Sequence, residues 1–341
     1  MNRYEFTNKV RSILGIKSFT ALQSRLKFFL NFRHDYNRKF PSLLSQKNKS
    51  LYVFMVDGKT LHGGLSDRLR GLLSTYYYAK ETGKDFKICW SHPFELSDYL
   101  VAKKQDLYIT KEHMCFNSKD VDFKYFNSYC DLDDREALFF DIMQSDRKQV
   151  HVYSNVTQRE DLFSQLFDEL FTLDSRLQKS IDKALHVTEG NSYVSITFRF
   201  IGLLGDFVDH AGFGGDISAE EQEEYIQKAI RAIEQLHRKH PNQKILVTSD
   251  SNKFQDRVKS IPYVFLADGK IAHMDHSSKS NYEVNLKNFV DMFLIARASA
   301  SYSYSTGLMF KATRFAKTAA LLGNHSIQMI DCLLYTSPSP R

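Results

Sequence analysis

The chain has 341 residues, 43% hydrophobic and 25% charged, a globular balance with length enough for two domains. No apolar run is long enough to span a bilayer as a helix, and there is no low-complexity tract. The net charge of +6 is lopsided: residues 1–49 hold 11 Lys and Arg against Glu5 and Asp35, a net of +9. The remainder is left at −3, which argues against a nucleic-acid-binding body.

The start of the chain mixes charges with no uninterrupted apolar segment, so no secretory leader is expected. Cys89, Cys115 and Cys130 show no C-x-x-C spacing, which argues against a disulfide framework and against structural zinc. A reducing, cytoplasmic setting is the expectation.

In chain order, the basic arm comes first. Phe19, Leu22, Leu26, Phe29 and Leu30 recur at helical spacing, with Arg25 and Lys27 between them. A basic amphipathic helix of this kind can lie peripherally on an anionic membrane, or pack on the first domain with its basic face solvated. Leu51 to Val56 reads as a buried strand. It runs into the glycine-rich H-G-G-L-S-D-R-L-R-G of residues 62–71, and then into a helix marked by Leu65, Leu69, Leu72, Leu73 and Tyr76. Gly63 and Gly64 allow backbone geometries closed to other residues. Ser66 or Asp67 is the expected helix cap, and Arg68 and Arg70 add charge beside the loop. Neither a Walker nor a dinucleotide-binding fingerprint is present.

Strands are expected at 86–90, 107–109, 123–125 and 150–153, a short helix at 94–100, and helices at 161–173 and 174–187. The acids Asp131, Asp133 and Asp134 read as a helix start rather than a metal site. Domain boundaries are placed to give an arm of 1–49, a first domain of 50–188 and a second of 189–331.

The second domain opens on the most informative stretch, Y-V-S-I-T-F-R-F-I-G-L-L-G-D from Tyr193 to Asp206. A β-branched and aromatic strand delivers Arg199 into a loop holding Gly202, Gly205 and Asp206. An arginine in that position fits an anion site at the carboxyl end of a sheet, or a buried strand whose arginine pairs with a surface acid. The loop of 207–216, with Asp209 and His210, is a candidate ligand cover. Ser218 with Glu221 signals a helix start, and the helix is expected to run to about His240. Strands are expected at 244–248 and 264–266, a helix at 282–297, and a strand or turn at 298–304. A helix is expected to open at Leu308 after Ser305-Thr306-Gly307, with a last strand at 319–322. The final C-L-L-Y-T-S-P-S-P-R resembles a translated sequencing adapter, so residues 332–341 are expected to be an artefact. The alternation of strands and helices in two halves predicts an α/β protein of two Rossmann-type domains facing a cleft.

Three pieces in the second half resemble the superfamily of α-1,2, α-1,6 and protein O-fucosyltransferases: Thr197-Phe198-Arg199, V-T-S-D at 247–250, and the run from Asp291 through D-M-F-L-I-A-R-A-S-A-S-Y-S-Y-S-T to Thr306. G-G-L-S-D-R-L-R-G resembles the glycine loop of relatives. The departures are Thr197, where many relatives carry histidine, and the longer spacing from Arg199 to Asp206. The resemblance implies a GT-B-like fold and transfer of fucose from GDP-fucose to a glycan hydroxyl in surface polysaccharide or lipopolysaccharide synthesis. The transfer would be inverting and require no metal cofactor. It implies that Arg199 neutralises the β-phosphate and that Ser303, Ser305, Thr306 and the backbone after Gly307 hold the other phosphate. Asp291 would meet guanine and Asp250 would lie near the nucleotide. Gly63, Gly64 and Arg68 would face the donor. The general base would come from Asp206 or Asp67, with Asp209 and His210 behind them. Two other readings stand beside this one: a transferase of the same shape using another nucleotide sugar, and a non-catalytic glycan-binding scaffold.

Overall fold

The computed structural model describes residues 3–36, 50–127, 130–206, 217–271, 282–311 and 313–331. The chain divides into two compact units between Asp174 and Ser175.

The first unit begins with helices α1 (Arg3–Leu14) and α2 (Ile16–Lys27), a π-helical turn at Phe28–Phe32, and α3 (Arg33–Tyr36). Then follow β1 (Leu51–Val56), α4 (Leu65–Glu81), β2 (Asp85–Trp90), β3 (Leu100–Ala102), β4 (Val121–Phe126), α5 (Glu136–Met143), β5 (Gln149–Ser154), α6 (Phe163–Leu170) and β6 (Phe171–Leu173). Four of these strands form a parallel sheet of order β2-β1-β5-β4, while β3 and β6 pair antiparallel. Both faces of β1 are buried, as its unbroken L-Y-V-F-M-V requires. Tyr52 lies in one core cluster with Tyr78 and Phe139, and Val53 lies in another with Phe32 and Tyr36.

The N-terminal helices close the open edge of this sheet. Ser24 Oγ donates to the Tyr125 carbonyl at 2.8 Å and accepts from the Tyr125 N–H at 3.0 Å, satisfying both edge groups of that β4 residue. The π turn inserts one residue and rotates the downstream side chains by about 100° around the helix axis. Phe32 and Tyr36 are buried and Phe28 packs against the same cluster, while Leu22 and Leu26 on α2 and Phe29 and Leu30 in the π turn are exposed. The helical period of the arm was legible; its inward face is the one bearing Phe19, Ser24, Phe28 and Phe32.

The second unit runs α7 (Ser175–Leu185), β7 (Tyr193–Phe198), α8 (Ala219–Lys239), β8 (Lys244–Ser249), α9 (Asn252–Val258), β9 (Val264–Phe265), α10 (Tyr282–Ala296), β10 (Ala300–Ser305), α11 (Arg314–Leu322) and β11 (Ile327–Asp331). The strands form one parallel sheet of order β11-β10-β7-β8-β9. The capping box at α8 is complete: Ser218 Oγ accepts from the Glu221 N–H at 3.2 Å, and Glu221 accepts from the Ser218 N–H at 2.8 Å.

Several expected elements are displaced. Residues 319–322 lie within α11 rather than in a strand, and the last strand is β11. Residues 308–311 are not helical; α11 opens at Arg314. Of 107–109, only Tyr108 makes a bridge, to Ile88. The expected helix over 161–173 ends at Leu170, and 171–173 is the strand β6. α4 begins at Leu65 with Gly64 as its extended cap, so neither Ser66 nor Asp67 caps it. Ahead of α5, Asp131 pairs locally with Arg135 at 3.1 Å, while Asp133 Oδ1 accepts from the N–H of Thr157, beyond β5, at 2.7 Å.

Candidate anion site at the head of β7

In the second unit the chain goes outward from β7 to β8 and β9, then returns to lay β10 on the other side of β7. The carboxyl ends of β7 and β10 therefore flank a topological switch point, where neighbouring connections leave in opposite directions and open a crevice. Arg199 is the first residue beyond β7 and Thr306 the first beyond β10. The sequence places a buried Phe198 at the strand's end and a cation immediately after it, so strand geometry itself carries the charge to the carboxyl end of the sheet.

The residues after Arg199 form a compact apolar hook. Phe200, Ile201, Leu203 and Leu204 are buried. Gly202 and Gly205 have φ of 79° and 78°, and Gly205 N–H donates to the Gly202 carbonyl at 2.9 Å. These glycines make the turns of the hook, which is their demonstrable task here. Asp250, the first residue beyond β8, holds the hook's base. Its two oxygens accept from the backbone N–H groups of Phe200 and Ile201, at 2.8 and 2.9 Å. Burial pushes the Asp250 carboxyl up, while the positive charge of Arg199 and the two N–H donors pull it down. The Arg199 carbonyl accepts from the Phe310 N–H at 3.2 Å, and its guanidinium lies 5.8 Å from the centre of the Phe310 ring. A guanidinium held this way can bind two oxygens of a phosphate.

Asp206 closes the hook on α9. Its Oδ2 accepts from the Lys253 N–H at 2.7 Å and from the Ser251 hydroxyl at 3.0 Å, while Ser251 in turn caps α9. Asp209 and His210 lie outside the described residues.

On the β10 side, Ser303 is buried and shares a hydrogen bond of 3.0 Å with Thr313. Ser305 is buried in the last position of β10. Thr306 accepts from the Met309 N–H at 3.0 Å through its carbonyl. Gly307 has φ of 53°, and a Cβ there would fall 2.4 Å from the Tyr225 hydroxyl. That hydroxyl accepts from the Leu308 N–H at 2.9 Å. Tyr225, on α8, thus clamps the turn and takes one of the N–H groups expected to face a phosphate.

Asp291 is buried on α10 and pairs with Lys287 at 3.2 Å; Lys287 Nζ also donates to the Ala267 carbonyl at 2.9 Å. Burial pushes the Asp291 carboxyl up and Lys287 opposes it. Lys287 was missed from the sequence, although its spacing of four from Asp291 was visible. Thr197 faces β8, where it shares a hydrogen bond of 2.7 Å with Thr248.

In the first unit the glycine loop is braced from within. Arg68, fully buried, donates to the carbonyls of Gly63 at 2.8 Å and His92 at 2.7 Å and lies over Trp90. Gly63 has φ of 78°, and a Cβ there would meet the Asp67 side chain. Asp67 pairs with Arg70 at 2.5 Å. His62 accepts from the Asp57 and Gly58 N–H groups at 3.2 and 3.1 Å, and burial with nearby cations pushes it down to about 2. The Asp57 carboxylate is buried between Lys111, at 3.0 Å, and the Tyr153 hydroxyl, at 3.1 Å. This carboxylate cluster was missed, because Lys111 and Tyr153 are remote in sequence. Among the described residues, no group of three His, Cys, Asp or Glu side chains is placed to hold a metal, and no helix is long and apolar enough to cross a membrane.

No protein-family model matches this chain, and no curated protein sequence does. Solved structures do. The fucosyltransferase NodZ from Bradyrhizobium superposes with a TM-score of 0.50 at 15% identity, over 81% of this chain and 94% of that one. A mutant of the FUT1 protein of Arabidopsis thaliana, solved in complex with GDP, superposes with a TM-score of 0.51 at 11% identity, over 98% of this chain and 79% of that one. The fold is that of the GT-B fucosyltransferases. Within it, Arg199 follows β7 and Asp250 follows β8 in the parallel sheet of the second unit.

Proposed function

We propose that the chain is an inverting glycosyltransferase that moves fucose from GDP-fucose to a glycan hydroxyl, in the synthesis of a surface polysaccharide or lipopolysaccharide. The observation that carries the reading is the position of Arg199: a guanidinium at the switch point of a parallel sheet, on a hook anchored by the buried Asp250. The GT-B fold shared with two fucosyltransferases, one of them solved with GDP, supports it.

In this reading the departing GDP gains negative charge on its β-phosphate as the bond to the sugar breaks. Arg199 offsets that charge, with Thr306 and the turn at Gly307 on the other phosphate and Asp291 toward the base. Asp250 is a positioning residue that sets the height of the Arg199 loop. The acceptor hydroxyl loses its proton to a carboxylate, for which Asp206 and Asp67 are proposed.

The test is GDP binding with EDTA present, beside UDP and ADP, on the wild type and Arg199→Ala. Selective GDP binding that falls at least about tenfold in the variant supports the reading, since a charge-assisted phosphate contact is worth roughly 1.5–3 kcal/mol. Preference for UDP or ADP replaces the donor. Absence of nucleotide binding in the folded protein refutes the transferase reading.

A further inference from the structure

The arm presents an apolar stripe to solvent although its inner face is fully engaged. Leu22, Leu26, Phe29 and Leu30 fall at i, i+4, i+7 and i+8 of one helical run, and Phe29 and Leu30 are 59% and 73% exposed. The opposite side of the run is fixed: Phe19 and Phe32 are buried, and Ser24 is bonded to the β4 edge. The stripe is therefore held outward by the packing beneath it. Ile13, at the end of α1, adds a further apolar residue, 73% exposed.

The charge around the stripe says what covers it. Residues 3–36 carry seven Lys and Arg against Glu5 and Asp35, a net of +5. Lys9, Arg25 and Arg33 are exposed, Arg33 stacks on Phe29 with 4.6 Å to the ring centre, and Lys17 is paired with Asp141 at 2.6 Å. A second copy of the same surface would oppose +5 with +5. An anionic bilayer takes both features at once: the apolar side chains enter the acyl boundary, and the cations meet headgroup phosphates.

We propose that the stripe of α2 and the π turn is a docking face for an anionic phospholipid membrane, on which the protein lies without spanning it. The end of the stripe is tied to the segment ahead of Gly63. Asn31 Nδ2 donates to the Lys59 carbonyl at 3.2 Å, and Lys59 pairs with Asp35. Leu61, exposed two residues further on, extends the apolar surface toward the glycine loop.

The test is co-sedimentation of the full chain with vesicles of phosphatidylcholine containing about 30% phosphatidylglycerol, against phosphatidylcholine alone. The wild type is expected to bind the anionic vesicles, and to bind them more weakly at about 0.5 M than at 0.1 M salt. Leu26→Ser with Leu30→Ser, both on the exposed face, should lower partitioning about tenfold or more with the circular dichroism unchanged. Arg25→Gln with Arg33→Gln gives a second arm, expected to remove the preference for anionic lipid. Failure of the wild type to bind, equal binding by the Leu26/Leu30 variant, or a stripe-dependent dimer without lipid binding would each overturn the proposal.

Discussion

Replacing Asp250 should detach the Arg199 loop from the sheet. In Asp250→Ala, the Phe200 and Ile201 N–H groups lose their acceptors, which stand at 2.8 and 2.9 Å in a buried setting. Each buried donor left unsatisfied costs about 1–3 kcal/mol, so the pair predicts roughly 2–6 kcal/mol. Asp250→Asn keeps one acceptor and turns an amide N–H₂ toward the other donor, which predicts roughly half that loss. The carboxyl is raised in the fold, so it favours the folded state most below its unfolded value near 4. That contribution fades as pH rises through the folded value, and the wild-type excess over Asp250→Asn should narrow across that window. Urea unfolding of the three proteins between about pH 3 and 7, followed by GDP titration of the folded forms, measures both effects. A loss under about 0.5 kcal/mol in Asp250→Ala would show that the hook does not depend on these bonds.

Four further outcomes are expected. His62 is pushed down to about 2 and His151 to about 3 by burial, so both stay neutral in the fold; stability should be full above about pH 6.5 and fall as pH drops below it, by up to about 1.4 kcal/mol per unit for each, read by urea unfolding between pH 7 and 4. Lys287→Ala strips the buried Asp291 carboxylate of its partner and should cost about 3–5 kcal/mol, whereas Lys287→Met with Asp291→Leu should recover most of it in thermal unfolding. Gly307→Ala forces a side chain onto the Tyr225 hydroxyl at positive φ and should cost about 1–3 kcal/mol; comparing it with Gly307→Ala in a Tyr225→Phe background separates the steric part from the backbone part. One of Asp206→Asn and Asp67→Asn should lower turnover about 100-fold or more with GDP binding intact, and two fully active variants would remove both from the role of base.

Much of the second unit could be read directly. The β7 stretch announces itself by five β-branched or aromatic residues in six, and the α8 start by a serine and a glutamate three apart. Arg199 and Asp250 were placed correctly at strand ends because the end of a buried strand is where a run of apolar residues must stop. Legibility failed where a remote residue decides local structure. Leu308 looks like a helix start, but Tyr225, some 80 residues earlier, takes its N–H and sits against Gly307, so the helix waits until Arg314. Residues 319–322, Ala-Ala-Leu-Leu, are too short a run to show a period, but both residue types favour helix, and α11 packs closely on α10: a Cβ on Gly323 would strike the Ala296 carbonyl. Asp206 was singled out for its neighbourhood to Arg199, yet its hydrogen bonds to Ser251 and Lys253 come from a segment 45 residues away. In the arm, the expected stripe is split: Phe19 faces inward with Phe32, whereas Leu22, Leu26, Phe29 and Leu30 face outward, and periodicity could not anticipate the π turn between them.

The seal that Ser24 makes on Tyr125 carries a practical warning. A truncated protein lacking its first helices would present the naked flank of β4, with its N–H and carbonyl groups ready to recruit strands from other molecules. Such a product would clump and pellet whether or not lipid was present, mimicking the very association a deletion was meant to abolish. The helices at the start of this chain thus act as a hem for the sheet, and their outer surface is best altered one stitch at a time.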